Sequence, residues 1–84
     1  MKDVLPIGSI VVVNNIDLMI CSYFKPGTEI EGKKVDYACC LYPTGLGENA
    51  ILVSRLEIQD VKFVGFQDTK FLKFKETMEN LNGW

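Results

Sequence analysis

A chain of 84 residues, 48% hydrophobic and 24% charged, is one domain in length, too apolar to stay disordered and too evenly interrupted by charge to form a membrane span. Its net charge of -2 and pI near 5.0 give nucleic acid or an anionic surface little overall attraction. No histidine is available to partner a serine or cysteine or to complete a structural zinc site, so neither an enzyme nor a cofactor or metal site is expected. Cys21, Cys39 and Cys40 lack the spacing of a disulfide framework and read as reduced thiols that fill apolar space.

The N-terminus, Met1 to Pro6, has no long apolar segment followed by a small-residue cleavage site, which places the chain in the cytoplasm. Leu5 to Phe24 then reads as a β-hairpin on which later elements pack. Its first strand, near 8–14, is rich in β-branched residues. Ile10 and Val12 face one way and Val11 and Val13 the other, so both faces should be covered. Asn14-Asn15-Ile16-Asp17 supplies the turn and a second strand returns near 18–24. Residues 25–34, with Pro26-Gly27 and Gly32, form a polar, solvent-facing hairpin loop.

A third strand near 35–42 puts Val35, Tyr37, Cys39 and Leu41 on one face and Asp36, Ala38, Cys40 and Tyr42 on the other. Neighbouring Cys39 and Cys40 therefore point apart. Turn residues 43–49 lead to a fourth strand near 50–53; no GK[ST] follows Gly45 and Gly47, so they are turn glycines and not a phosphate loop. Ser54-Arg55-Leu56-Glu57 is a capping-box sequence and predicts a helical turn near 55–59. A fifth strand follows near 61–66. Asp68 is a natural N-cap for a helix near 69–81, whose stripe of Phe71, Phe74, Met78 and Leu81 should pack on a sheet face. Gly83 fits the left-handed helix-stop position, with Trp84 either folding back on Met78 or anchoring a partner.

This order predicts an α+β, mainly β, single domain over 1–84. Its five antiparallel strands form an SH3-like small barrel or a strongly curved sheet, with one C-terminal helix packed on it. Asp17, Asp36, Asp60 and Asp68 have sufficient roles in turns, strand faces and caps. Lys62, Lys70, Lys73 and Lys75 near aromatic residues resemble a nucleic-acid surface, but Asp60, Asp68, Glu76 and Glu79 share the neighbourhood and argue against it. A protein-interaction module remains, with Tyr23, Tyr37, Tyr42, Phe66 and Trp84 as candidate partner contacts and the strand at 50–53 as an edge for β-augmentation. A general SH3-like protein- or nucleic-acid-binding module is the alternative.

The segments LPIGSIVVVNN, DLMICSY, VDYACCLYPTG and LEIQDVKFVGFQDTKFLKFKETM, in that order and spacing, resemble a family of small domain-of-unknown-function proteins of Firmicutes. Its members are similar to EsaE-like chaperones and accessory proteins encoded beside LXG or related toxins of the type VII secretion system. The resemblance implies a non-catalytic cytoplasmic protein that binds its cognate toxin, or the toxin's targeting domain, before export. The chain departs from the family pattern at Phe66, where tyrosine is common, and at Lys70 and Lys73, in a segment that is often acidic.

Overall fold

The computed structural model describes residues 3–84; Met1 and Lys2, with which the N-terminal reading begins, lie outside the described residues. Asn14 and Asn15 both take positive φ, 50° and 62°, as in a type I′ turn, whose twist matches the strands it joins. The turn needs only these two residues, so β1 (Ile10–Val13) is followed at once by β2 (Ile16–Tyr23), with Val13 opposite Ile16. The polar connection contains a hairpin of its own, β3 (Glu29–Ile30) and β4 (Lys33–Lys34), turning at Glu31 and Gly32, again with positive φ at both. β5 (Tyr37–Leu41), β6 (Ile51–Val53) and β7 (Asp60–Phe63) complete a five-stranded antiparallel sheet of order β6-β5-β2-β1-β7.

β1 sits between β2 and β7 and presents apolar residues to both faces of the sheet. Val11 and Val13 join Leu5, Leu18, Ile20, Tyr37, Cys39 and Val53 in the core, while Ile10 is buried on the opposite face. Each fully buried Val, Leu or Ile contributes about 1.5–3 kcal/mol through apolar surface removed from water.

The sheet is not closed into a barrel. Val53 of β6 and Val61 of β7 both pack against the same core cluster, so the sheet curls, yet β6 and β7 remain separate edges. This corrects the expectation of a small barrel, and the cause lies between the two strands. A 3₁₀ turn at Arg55–Glu57 diverts the chain, held by a reciprocal capping box in which Ser54 Oγ accepts from Leu56 N (3.3 Å) and Glu57 Oε1 accepts from Ser54 N (2.8 Å). Buried Asp36 fixes that turn from β5's approach, its Oδ2 accepting from Arg55 N at 2.8 Å. Gln59 N then donates to Val12 O (2.8 Å), which delivers β7 to β1 and not to β6.

The fifth strand ends at Phe63, short of the expected 66. Gly65 N donates to the hydroxyl of buried Ser9 at 2.9 Å, and a Cβ on Gly65 would stand 2.3 Å from Ile7 O. Here one backbone crosses another in contact, which only glycine permits.

Helix α1 (Thr69–Glu79) starts where Asp68 Oδ1 accepts from Phe71 N (2.8 Å) and ends at the C-cap Asn80, earlier than expected. Gly83, at φ +94°, lies beyond that cap; its Cα packs so closely on Gly27 that a Cβ would meet Gly27 N at 2.7 Å. Of the stripe, Met78 alone among the described helix residues is buried, while Phe74 is 37% and Leu81 45% exposed. The helix is therefore not laid along a sheet face. Val4, Leu5 and Trp84 already occupy the core side, and α1 is fastened through Met78 and through Glu79 Oε2, which accepts from Val4 N at 3.0 Å.

Replacing Gly65 by alanine should destabilise the fold by roughly 2 kcal/mol or more, because backbone atoms cannot yield as a flexible side chain can. Gly47→Ala, with open space around its Cβ, should stay within about 0.5 kcal/mol of the parent. Urea unfolding followed by circular dichroism measures both.

Candidate functional site

The placement of Phe66 follows from Ser9. The Ser9 hydroxyl donates to Pro6 O (2.7 Å) while accepting from Gly65 N, so residues 64–66 cross residues 6–9 and Phe66 comes to stand beside Ile7. Tyr23 reaches the same place from the end of β2, its hydroxyl donating to Leu5 O at 2.6 Å. Burial pushes the Tyr23 phenol up, so it remains a neutral donor at ordinary pH. Its ring lies 4.8 Å from that of Phe74, tilted by 44°, a favourable aromatic geometry. With Phe71 and Lys70 from the first turns of α1, these residues line an open groove of about 500 Å³.

The five aromatic residues singled out from the sequence separate. Tyr23 and Phe66 share the groove, where Phe66 is 80% exposed. Tyr42 lies elsewhere, beside a hollow of about 340 Å³ with Ile10, Asp17, Lys62 and Phe63, in which Lys62 and Asp17 pair at 3.0 Å. Tyr37 is 0% exposed; its hydroxyl accepts from Leu5 N (3.2 Å), which makes it a core residue and corrects its reading as a partner contact. Trp84 packs against the core, edge-on to Tyr37 at 6.0 Å, with the Arg55 guanidinium 5.0 Å from its ring centroid and donating to its backbone oxygen. Trp84 thus meets Tyr37 and Arg55 at the core.

The edge of β6 is also occupied in part. Lys33 Nζ donates to Leu52 O (3.0 Å) and pairs with Glu57 (2.8 Å), so a charged side chain crosses the carbonyl row a new strand would need. Ile7, Phe71 and Phe74 were missed as groove residues because the sequence assigns Ile7 to a strand entrance and the two phenylalanines to helix packing. Gly65 was the readable signal, since an isolated glycine in a strand-like run marks a close backbone approach.

A third hollow, about 380 Å³, brings the charged side chains of Asp3, Arg55 and Glu79 beside Trp84, but Glu79 is engaged by Val4 N and by Lys75 at 3.0 Å. Among the described residues, no group of three or more Cys, Asp or Glu is gathered as a metal cage requires. The apolar groove has only the Tyr23 phenol and the Lys70 ammonium as polar groups; it can seat apolar side chains and pair with an anion at its rim.

The chain belongs to the family described as a domain of unknown function, DUF4176, which matches residues 4–74 and so includes every groove residue. No curated protein and no solved structure matches it. Among the described residues, no helix is long and apolar enough to cross a membrane.

The tie that holds α1 is sensitive to acid. The Val4 N–H, and then Lys75, hold the Glu79 carboxyl below its ordinary value of 4.5. Stability from this carboxylate is therefore complete above that value and is lost as pH falls through the lower folded value. In thermal unfolding, the gap between the parent and Glu79→Gln should be constant above about pH 5 and should close on acidification. A gap that persists unchanged to about pH 3 would exclude the charged tie.

Proposed function

We propose that the protein is a non-catalytic binding module whose groove at Ile7, Tyr23, Phe66, Phe71 and Phe74 captures an apolar segment of a partner polypeptide. The observation that carries this reading is the groove itself. Five apolar or aromatic side chains from three separate parts of the chain converge on one open surface, and the most exposed of them, Phe66, is held out by a backbone constraint at Gly65. A large apolar side chain kept in water at such a place is what an interface requires and a monomer core does not.

The partner proposed is a cognate toxin of the type VII secretion system, or its targeting domain, bound in the cytoplasm before export. This part rests on the resemblance of LPIGSIVVVNN, VDYACCLYPTG and the following segments to accessory proteins encoded beside LXG toxins. Capture would shield apolar surface of the toxin until the secretion machinery takes it, with Lys70 at the rim favouring an acidic neighbour on the bound segment. Shape and desolvation at the aromatic wall would supply most of the affinity.

Co-purification of the tagged chain with a co-expressed LXG toxin of the type VII secretion system tests the partner. Phe66→Ala should keep the parent circular dichroism spectrum while weakening capture by about tenfold or more, as loss of a central aromatic anchor does. Tyr42→Ala, in the separate hollow, should bind as the parent does. Full binding by a folded Phe66→Ala protein would remove the groove from the proposal. Failure of the parent to retain the toxin, with salt-sensitive oligonucleotide binding instead, would replace the toxin by nucleic acid.

A further inference from the structure

We propose that Cys21 and Cys40 form a redox modification site, converting between a dithiol and an intrachain disulfide. The pairing of β2 with β5 places Ile20 opposite Cys39 and Ser22 opposite Ala38, so Cys21 is the extra residue of a β-bulge. In a regular ladder, where Met19 faces Cys40, Cys21 would be a diagonal neighbour with Cα atoms about 7–8 Å apart. The bulge brings the two sulfurs to 3.2 Å. A disulfide requires that they approach by about a further 1.2 Å and turn to a Cβ–Sγ–Sγ–Cβ dihedral of roughly 90° in either sense. Cys39 points to the other face, within the core, and does not compete.

Exposure sets the order of events, because Cys21 is exposed and Cys40 buried. The oxidant is a low-molecular-weight disulfide. The Cys21 thiolate attacks one of its sulfurs, forming a mixed disulfide and releasing one small thiol. The Cys40 thiolate then attacks the Cys21 sulfur, forming the Cys21–Cys40 bond and releasing the second. Two protein thiols are oxidised by two electrons, one small disulfide is reduced to two thiols, and the two cysteine protons leave on those products. Partial desolvation of the sulfur, and then its hydrogen bond to Cys40, push the Cys21 thiol up to about 11, so the attacking group rests as the thiol and the conversion follows the surrounding redox poise slowly.

The full chain, reduced and then equilibrated in graded mixtures of oxidised and reduced glutathione, is quenched in denaturing acid and its free thiols are counted. The expected result is a fall from three free thiols to one, in a monomer lighter by about 2 Da for the two hydrogens lost. Peptide mapping should join Cys21 to Cys40, and the thermal midpoint should rise on oxidation. Cys21→Ser should abolish the cross-link, and being an exposed substitution it decides the matter even if Cys40→Ser fails to fold; Cys39→Ala should retain it. The proposal is overturned by three free thiols in the most oxidising mixture, by a glutathione adduct on Cys21 that leaves Cys40 free, by a bond mapped to Cys39, or by a disulfide between two chains.

Discussion

The buried ring of Tyr37 is the contact through which the separate parts of this small fold meet. It stands in β5, beside β2 in the sheet, with Tyr23 at 5.9 Å on one side and Trp84 at 6.0 Å on another, while its hydroxyl accepts the backbone N–H of Leu5. A phenylalanine would fill nearly the same space and leave that N–H without its partner, at a cost of about 1–3 kcal/mol for a buried donor. The hydroxyl thus recruits the N-terminal segment, and the ring recruits both Tyr23 and Trp84. A row of aromatic contacts runs from Phe74 at the surface, through Tyr23 and Tyr37, to Trp84.

Drawing the N-terminal segment into the core decides what happens to the helix. Val4 and Leu5 occupy apolar space on the core side of the sheet, and α1 is left to attach mainly at Met78 and at the Val4–Glu79 hydrogen bond. Its remaining apolar stripe is then left partly in water, with Phe71 half-buried and Phe74 and Leu81 exposed. Ser9 and Gly65 complete the arrangement by crossing residues 64–66 over residues 6–9, which supplies the opposite margin of the groove. The exposed aromatic surface is therefore a consequence of how the core is closed and not of a surplus of apolar residues.

Features governed by neighbouring residues were legible in the sequence. The Asn14-Asn15 hairpin, the Ser54/Glu57 capping box, the Asp68 N-cap and the opposite directions of Cys39 and Cys40 each depend on a few adjacent positions. What sequence reading could not supply is which side of an element meets which neighbour. Tyr37 and Leu41 share a face of one strand by alternation, yet the first is fully buried and the second 43% exposed at the strand end. The open edge between β6 and β7 was hidden for the same reason: it depends on Asp36 holding the 3₁₀ turn from across the fold. Of the candidate site, Tyr23 and Phe66 were identified as aromatic residues, but their meeting depends on the Ser9 hydroxyl, a contact spanning most of the chain.

The bulge at Cys21 shows how a single irregularity shapes two surfaces at once. Ile20 and Tyr23 are an odd number of positions apart, so in an uninterrupted strand they would point to opposite faces. Both nevertheless pack on the core side, because Cys21 is the unpaired residue between Ile20 and Ser22 and shifts the alternation by one. Without it, Tyr23 would turn away from Phe74 and the groove would lose its aromatic wall. The same extra residue sets the Cys21 sulfur against Cys40 on the other face. A covalent bond there would lock the phase of β2 at the position that decides where Tyr23 points, which ties the chemistry of the two thiols to the shape of the groove through two residues of backbone.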